Sequence, residues 1–152
     1  MSVIKRGRFT TDASLMVVFD LLNLKHKIND EFDWWVYDED AVIEINVANV
    51  SFLNLHTDGP YDIELINEPD GLNYIQSLSL KSGNIFIGAV EEITSESEEP
   101  DCTRGGFFYE TSPGNYLLHA NLNGRTISLC LEPSTQSTQL NCFQSIPSLE
   151  GS

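Results

Sequence analysis

Three histidines (His26, His56, His119) and three cysteines (Cys102, Cys130, Cys142) are the residues in this chain whose types are most often used for catalysis or metal binding. His56 stands two residues before Asp58, the composition of a general-base pair. The same Asp58 is followed by Gly59 and Pro60, so it serves equally as a turn cap, and a base also needs a substrate proton positioned against it. His119 falls on the outward side of an alternating segment. No GxSxG, HExxH or glycine-rich phosphate loop occurs. Cys102 lies in strongly acidic surroundings, which raise a thiol's pKa and suppress the thiolate a nucleophile needs. The cysteines are odd in number, widely spaced and free of any CxxC or Cys/His zinc pattern, so they read as free thiols. The sequence therefore predicts no catalytic residue, no cofactor and no metal site. Calcium is the nearest metal competitor, because Asp38-Glu39-Asp40 and the Asp58-Gly59 and Asp70-Gly71 turns offer hard oxygen ligands, but none has the alternating spacing of a known calcium loop.

Charge is more informative than motif. The chain carries 23 Asp and Glu against eight Lys and Arg, a formal net charge of -15. Between residues 30 and 101 stand 18 acidic residues and one basic residue, Lys81. Such a surface repels nucleic acid and anionic membrane, whose binding needs clustered Lys and Arg. It attracts a basic protein, and complementary fields speed that encounter. Solubility alone explains an acid excess equally well.

The elements that must position these groups read as strands. With 152 residues and 41% hydrophobic content the chain is one domain with a sizeable core. Residues 1–13 predict an arm or edge strand around Arg8-Phe9-Thr10. The apolar run 14–22 predicts a buried strand, although Leu15, Val18, Phe19 and Leu22 also have helical spacing. Ile43, Ile45 and Val47 alternate with Glu44 and Asn46, which predicts a strand. A reversal at Ala48-Asn49 would pair it in a hairpin with residues 50–55. Tyr61, Ile63 and Leu65 point inward, with Asp62 and Glu64 outward. Further strands are predicted at 74–80, at 85–93 after a hairpin loop at Ser82-Gly83-Asn84, and in a C-terminal meander over 107–111, 116–122 and 125–132. Gly88 marks a bend or close backbone approach. Residues 94–106 form an acidic loop, residues 134–143 offer one more edge strand, and the tail frays from about 145. Strands at this spacing with little helix define an all-β fold, an antiparallel β-sandwich or partly open barrel.

Trp34 and Trp35 are adjacent, so in an extended segment they face opposite ways. One is buried. The other either covers an open end of the core or anchors a binding surface rimmed by Asp33, Asp38, Glu39 and Asp40. No span of membrane length and no signal-peptide apolar run follows the basic start MSVIKRGRF, which predicts a cytoplasmic chain; a leader removed before residue 1 is compatible with the same sequence.

The segments VVFDLLNLKHKI, DWW and DGPYDIEL resemble small bacterial β-proteins, some of them immunity proteins of toxin-delivery systems. The resemblance covers about the first 70 residues and carries over no functional residue. It implies a cytosolic antitoxin that sequesters and occludes a toxin, and the acid excess independently suggests a basic one, such as a nuclease. Partner-binding residues expected on that reading are Trp35, Asp38, Glu39 and Asp40, then Glu96, Glu98, Glu99 and Asp101. The rival readings are a carbohydrate- or calcium-binding β-sandwich, with Trp34 or Trp35 as a stacking platform, and a hydrolase with its histidines and carboxylates gathered in one pocket.

Overall fold

The computed structural model describes residues 2–23, 38–93, 100–134 and 141–149. Among these residues, alternating apolar segments form nine strands in two sheets packed face to face, and the sheets do not close into a barrel. The five-stranded sheet has the order β1 (Val3–Thr11), β4 (Gly59–Ile66), β9 (Thr126–Pro133), β8 (Gly114–Asn123), β5 (Tyr74–Leu80). The four-stranded sheet runs β3 (Ser51–Asn54), β2 (Leu15–Asp20), β6 (Asn84–Ala89), β7 (Phe107–Glu110). Every pairing is antiparallel except β4 with β9. Inward residues of both sheets, among them Phe9, Tyr61, Ile63, Leu65, Leu78, Leu118, Ile127 and Leu129, form the main core. A second core lies on the outer side of the four-stranded sheet, where Val17, Phe19, Phe52 and Phe86 meet Ala41 and Ile45.

The strand expected over residues 43–47 does not form, because residues 38–46 are a helix, α1 (Asp38–Asn46). Glu39 and Asp40 in its first turn suit the positive end of the helix dipole, and Ala41, Ile45 and Ala48 repeat at the helical interval and are buried. The reversal after it is a Schellman cap rather than a hairpin: the Ala48 amide donates to the Ile45 carbonyl at 3.0 Å and the Asn49 amide to the Glu44 carbonyl at 3.0 Å. Ala48 takes the left-handed conformation (φ 63°), not Asn49.

The turn at Ser82-Gly83-Asn84 and the one after β7 do not close hairpins. Each carries the chain from one sheet to the other, since β5 and β8 belong to the five-stranded sheet and β6 and β7 to the four-stranded one. Among the described residues only β8 and β9 form a tight hairpin, with Asn123 paired to Thr126 around Gly124-Arg125. The strand expected over 85–93 stops at Ala89 and continues as a 3₁₀ turn, Val90–Ile93. Gly88 sits at a close approach: a Cβ there would lie 2.7 Å from the Phe86 ring and 3.2 Å from the Gly106 Cα.

The edge strand expected over 134–143 lies largely outside the described residues; Ser148 makes a single bridge to Asn54 at the end of β3, and the tail expected to fray from about 145 is tied down over residues 147–149. The Asn54 amide donates to the Pro147 carbonyl and the Leu149 amide to the Asn54 carbonyl, each at 2.9 Å, and Leu149 is buried.

Candidate partner-binding surface

Helix α1 covers the outer face of the four-stranded sheet, and its sequence divides it into two sides. Ala41, Glu44 and Ile45 turn inward, while Glu39, Ile43 and Val47, spaced four apart, form an outward ridge. Ile43 is 61% exposed and Val47 43% exposed. On the expected strand both would have shared the buried side of Ile45; the helical period separates them. Glu39 and Asp40, at the start of the ridge, make no ion pair or hydrogen bond among the described residues.

The helix is held firmly at its C-terminal end. The Asn141 amide nitrogen donates to the Ile45 carbonyl at 2.8 Å and to the Ser77 carbonyl at 2.9 Å, and its oxygen accepts the Ser77 amide at 2.9 Å. Asn46 makes a second two-point contact, donating to the Phe143 carbonyl at 2.9 Å and accepting the Phe143 amide at 2.8 Å. Asn49 donates to Glu44 at 3.1 Å. Two asparagine side chains thus join the helix to β5 and to the C-terminal segment, so the ridge has a set orientation.

The other expected acidic patch is built differently. Glu92, buried in the 3₁₀ turn, accepts the backbone amides of Asp101 (3.1 Å), Cys102 (3.2 Å) and Arg104 (2.7 Å). Glu91 accepts the Thr11 hydroxyl at 2.8 Å, and Arg104 bridges Glu91 at 3.3 Å and Asp12 at 2.7 Å. Asp101 is exposed, but its carboxylate accepts the Thr103 amide at 3.1 Å, and hydrogen bonds from the Thr103 amide and hydroxyl hold it below the usual carboxylate range. Cys102 packs against the same core cluster as α1, so Asp101 and the helix border one face of the sheet. Trp34, Trp35, Glu96, Glu98 and Glu99 lie outside the described residues; of Asp38 the structure shows only that it begins α1.

Elsewhere the acid excess is partly matched. Asp62 pairs with Arg8 at 2.8 Å and Glu64 with Arg6 at 4.0 Å across β4 and β1. Asp58 accepts the Ser14 hydroxyl, and its carbonyl accepts Arg125 at 2.9 Å. His56 is exposed, with its amide donating to the Asn54 side chain at 2.9 Å, so Asp58 and His56 are committed to the turn separately.

One His–carboxylate contact exists that the sequence reading did not assign. Because β5 runs parallel to β4 in the same sheet, with β9 and β8 between them, residues 67–73 must cross the outer face of those two strands. His119 and Cys130, paired across β8 and β9 on that face, are buried as a result, and His119 Nε2 lies 3.0 Å from Glu132 Oε1. Burial first, then the Glu132 and Glu68 carboxylates, pushes the Cys130 thiol above its ordinary value. The Cys102 thiol is raised too, by burial first and by Glu92 and Asp101 second, whereas composition pointed to the carboxylates alone. Both thiols are held away from the reactive thiolate. Among the described residues no three His, Cys, Asp or Glu side chains converge in a metal-binding arrangement, and no helix is long and apolar enough to cross a membrane. An open groove of about 500 Å³ beside β7, bordered by Lys5, Leu21, Phe108, Tyr109 and Glu110, contains no histidine or cysteine.

Fold and surface thus define a single-domain β-sandwich on which Glu39 and Asp40, unpaired among the described residues, sit beside exposed aliphatic side chains on a clamped helix. The chain belongs to DUF6386, a family of unknown function whose profile matches residues 3–146. No curated protein matches it. Two solved structures share the fold over nearly their whole lengths. One is described as crocagin biosynthetic gene J, with a TM-score of 0.55, 14% identity, and coverage of 88% of this chain and 99% of that one. The other is ComJ from Bacillus subtilis, an inhibitor of the DNA-degrading activity of NucA, with a TM-score of 0.53, 11% identity, and coverage of 88% and 98%.

Proposed function

We propose that this chain is an inhibitor of the immunity, or antitoxin, kind: it binds a basic effector protein and occludes its working surface. The observation that carries this reading is the pairing of free carboxylates with exposed aliphatic side chains on a rigid element, within a molecule of net charge -15. Carboxylates steer a basic partner and set its orientation, while apolar contacts supply the slow dissociation an inhibitor needs. The shared fold with a nuclease inhibitor supports the same role, and a nuclease, whose nucleic-acid-binding surface is basic, is a partner of the right charge. In this reading the sandwich is a scaffold and catalysis belongs to the partner.

The test is affinity capture with the tagged, folded chain from lysate of its source organism, washed at low and then moderate salt. The expected result is one stoichiometric basic protein whose activity is lost in the purified complex. A folded bait that retains nothing, or a retained protein whose activity is unchanged in the complex, defeats the proposal.

A further inference from the structure

The face of the molecule that meets the partner follows from helix α1. A surface helix of a monomer normally turns its aliphatic side chains inward and keeps polar groups outside. Here Ile43 and Val47 are 61% and 43% exposed although Ala41 and Ile45, on the other side of the same helix, are fully buried. Among the described residues nothing covers the outward pair. Glu39 lies one turn before Ile43 on the same ridge, with Asp40 beside it, and neither carboxylate is neutralised among the described residues. The ridge is acidic at one end and aliphatic along the rest, and the Asn46 and Asn141 contacts hold it in place before any partner arrives. Such preorganisation lowers the entropy lost on docking.

We propose that the Glu39–Ile43–Val47 ridge, with Asp40, is the docking surface for the inhibited protein, received by an apolar depression rimmed with Lys or Arg. The proposal rests on the inhibitor reading above. Charge selects the occupant: a second copy of this chain has no Lys or Arg on its own ridge to pair with Glu39 and Asp40, and it would join two molecules each at -15, so self-association through this face is opposed. A basic surface satisfies both ends of the ridge at once.

The experiment places a photo-crosslinking side chain, Ile43→p-benzoylphenylalanine, in the full-length chain in its source cells. A matched chain carries the same group in place of Ile75, an isoleucine 54% exposed on β5. The expected result is one adduct from position 43, none from position 75, and a basic protein as the partner. That partner, purified, binds Ile43→Ala/Val47→Ala about tenfold or more weakly through faster dissociation, and associates about threefold or more slowly with Glu39→Gln/Asp40→Asn. All four side chains lie on the surface, and circular dichroism of each variant checks that the fold is kept. An adduct from position 75 and not from 43, or unchanged affinity of the alanine variant, overturns the ridge while leaving the inhibitor reading in place. Crosslinking to a second copy, or to an acidic protein, also overturns it. Silence from both positions, with nothing retained in the capture experiment, overturns both proposals together.

Discussion

Two polar residues, Asp20 buried and Tyr74 half-buried, show how single side chains hold this sandwich together. Asp20, fully buried at the end of β2, accepts the amides of Leu22 (2.9 Å), Ser82 (2.8 Å) and Gly83 (2.7 Å) and the Ser82 hydroxyl (2.7 Å), which locks the turn where the chain changes sheets. Asp20→Ala removes the partner of three backbone donors, that of Gly83 in the interior, and leaves a void where a buried carboxylate sat, so it should cost about 3 kcal/mol, measured by urea denaturation; a loss below about 1 kcal/mol would mean that water replaces the carboxylate. Tyr74 donates to Gln76 at 2.8 Å, and burial raises its phenol above the ordinary value of 10.0. The folded state therefore favours the protonated phenol. Its contribution is fully present below pH 10.0, the unfolded value, and is lost as pH rises above it. Tyr74→Phe should cost about 1 kcal/mol at neutral pH for the lost hydrogen bond and should flatten the alkaline fall in stability relative to the parent chain. Parallel denaturation curves at neutral and strongly alkaline pH would show it, and an identical fall in both proteins would assign the alkaline loss to other groups.

At the scale of elements, helix α1 makes the sharpest contrast between pattern and structure. Ile43→Ala should change stability by less than about 0.5 kcal/mol, since the side chain is on the surface, whereas Ile45→Ala should cost about 2–5 kcal/mol. Equal losses in thermal or chemical denaturation would restore the strand reading, in which the two share a buried face. Most strands were legible because one wet face and one dry face leave a period of two in the sequence, as at Tyr61, Ile63 and Leu65. The segment VIEINV has that period as well, and only its acidic first turn and the Ala41, Ile45, Ala48 interval distinguish a helix. Sheet membership was less legible. A turn such as Ser82-Gly83-Asn84 has the same local chemistry whether it closes a hairpin or carries the chain between sheets, and what decides is the distant pairing of β6 with β2 and β5 with β8. The candidate site shows the same division. Glu39 and Asp40 could be picked out by charge, but Ile43 and Val47 could not, because their exposure depends on which side of α1 faces the sheet. Nor does anything local announce that Asn141, 95 residues beyond Asn46, would join it in clamping that helix.

Over the whole molecule, a formal charge of -15 opposes compaction, because folding gathers carboxylates that the open chain keeps apart. The pairs Arg8–Asp62, Arg6–Glu64 and Arg104–Asp12 offset part of this, but their side chains are largely exposed to solvent and such pairs are individually weak. Salt acts on the two terms in opposite directions: it screens the attraction within each surface pair and the repulsion summed over the molecule. Repulsion has the longer reach and involves many more partners, so it is the term that screening changes most. Raising salt from low ionic strength to about 0.5 M, where the Debye length falls well below 10 Å, should therefore increase the melting temperature by a few degrees, about 1 kcal/mol for a domain of this size. Sodium chloride, followed by circular dichroism at constant pH, is the direct check, and a falling melting temperature would show that the ion pairs outweigh the net charge. The same salt should slow association with a basic partner. Stability rising while association slows, in one chain over one salt series, is the outcome expected when free carboxylates are retained for recognition at some expense to the fold.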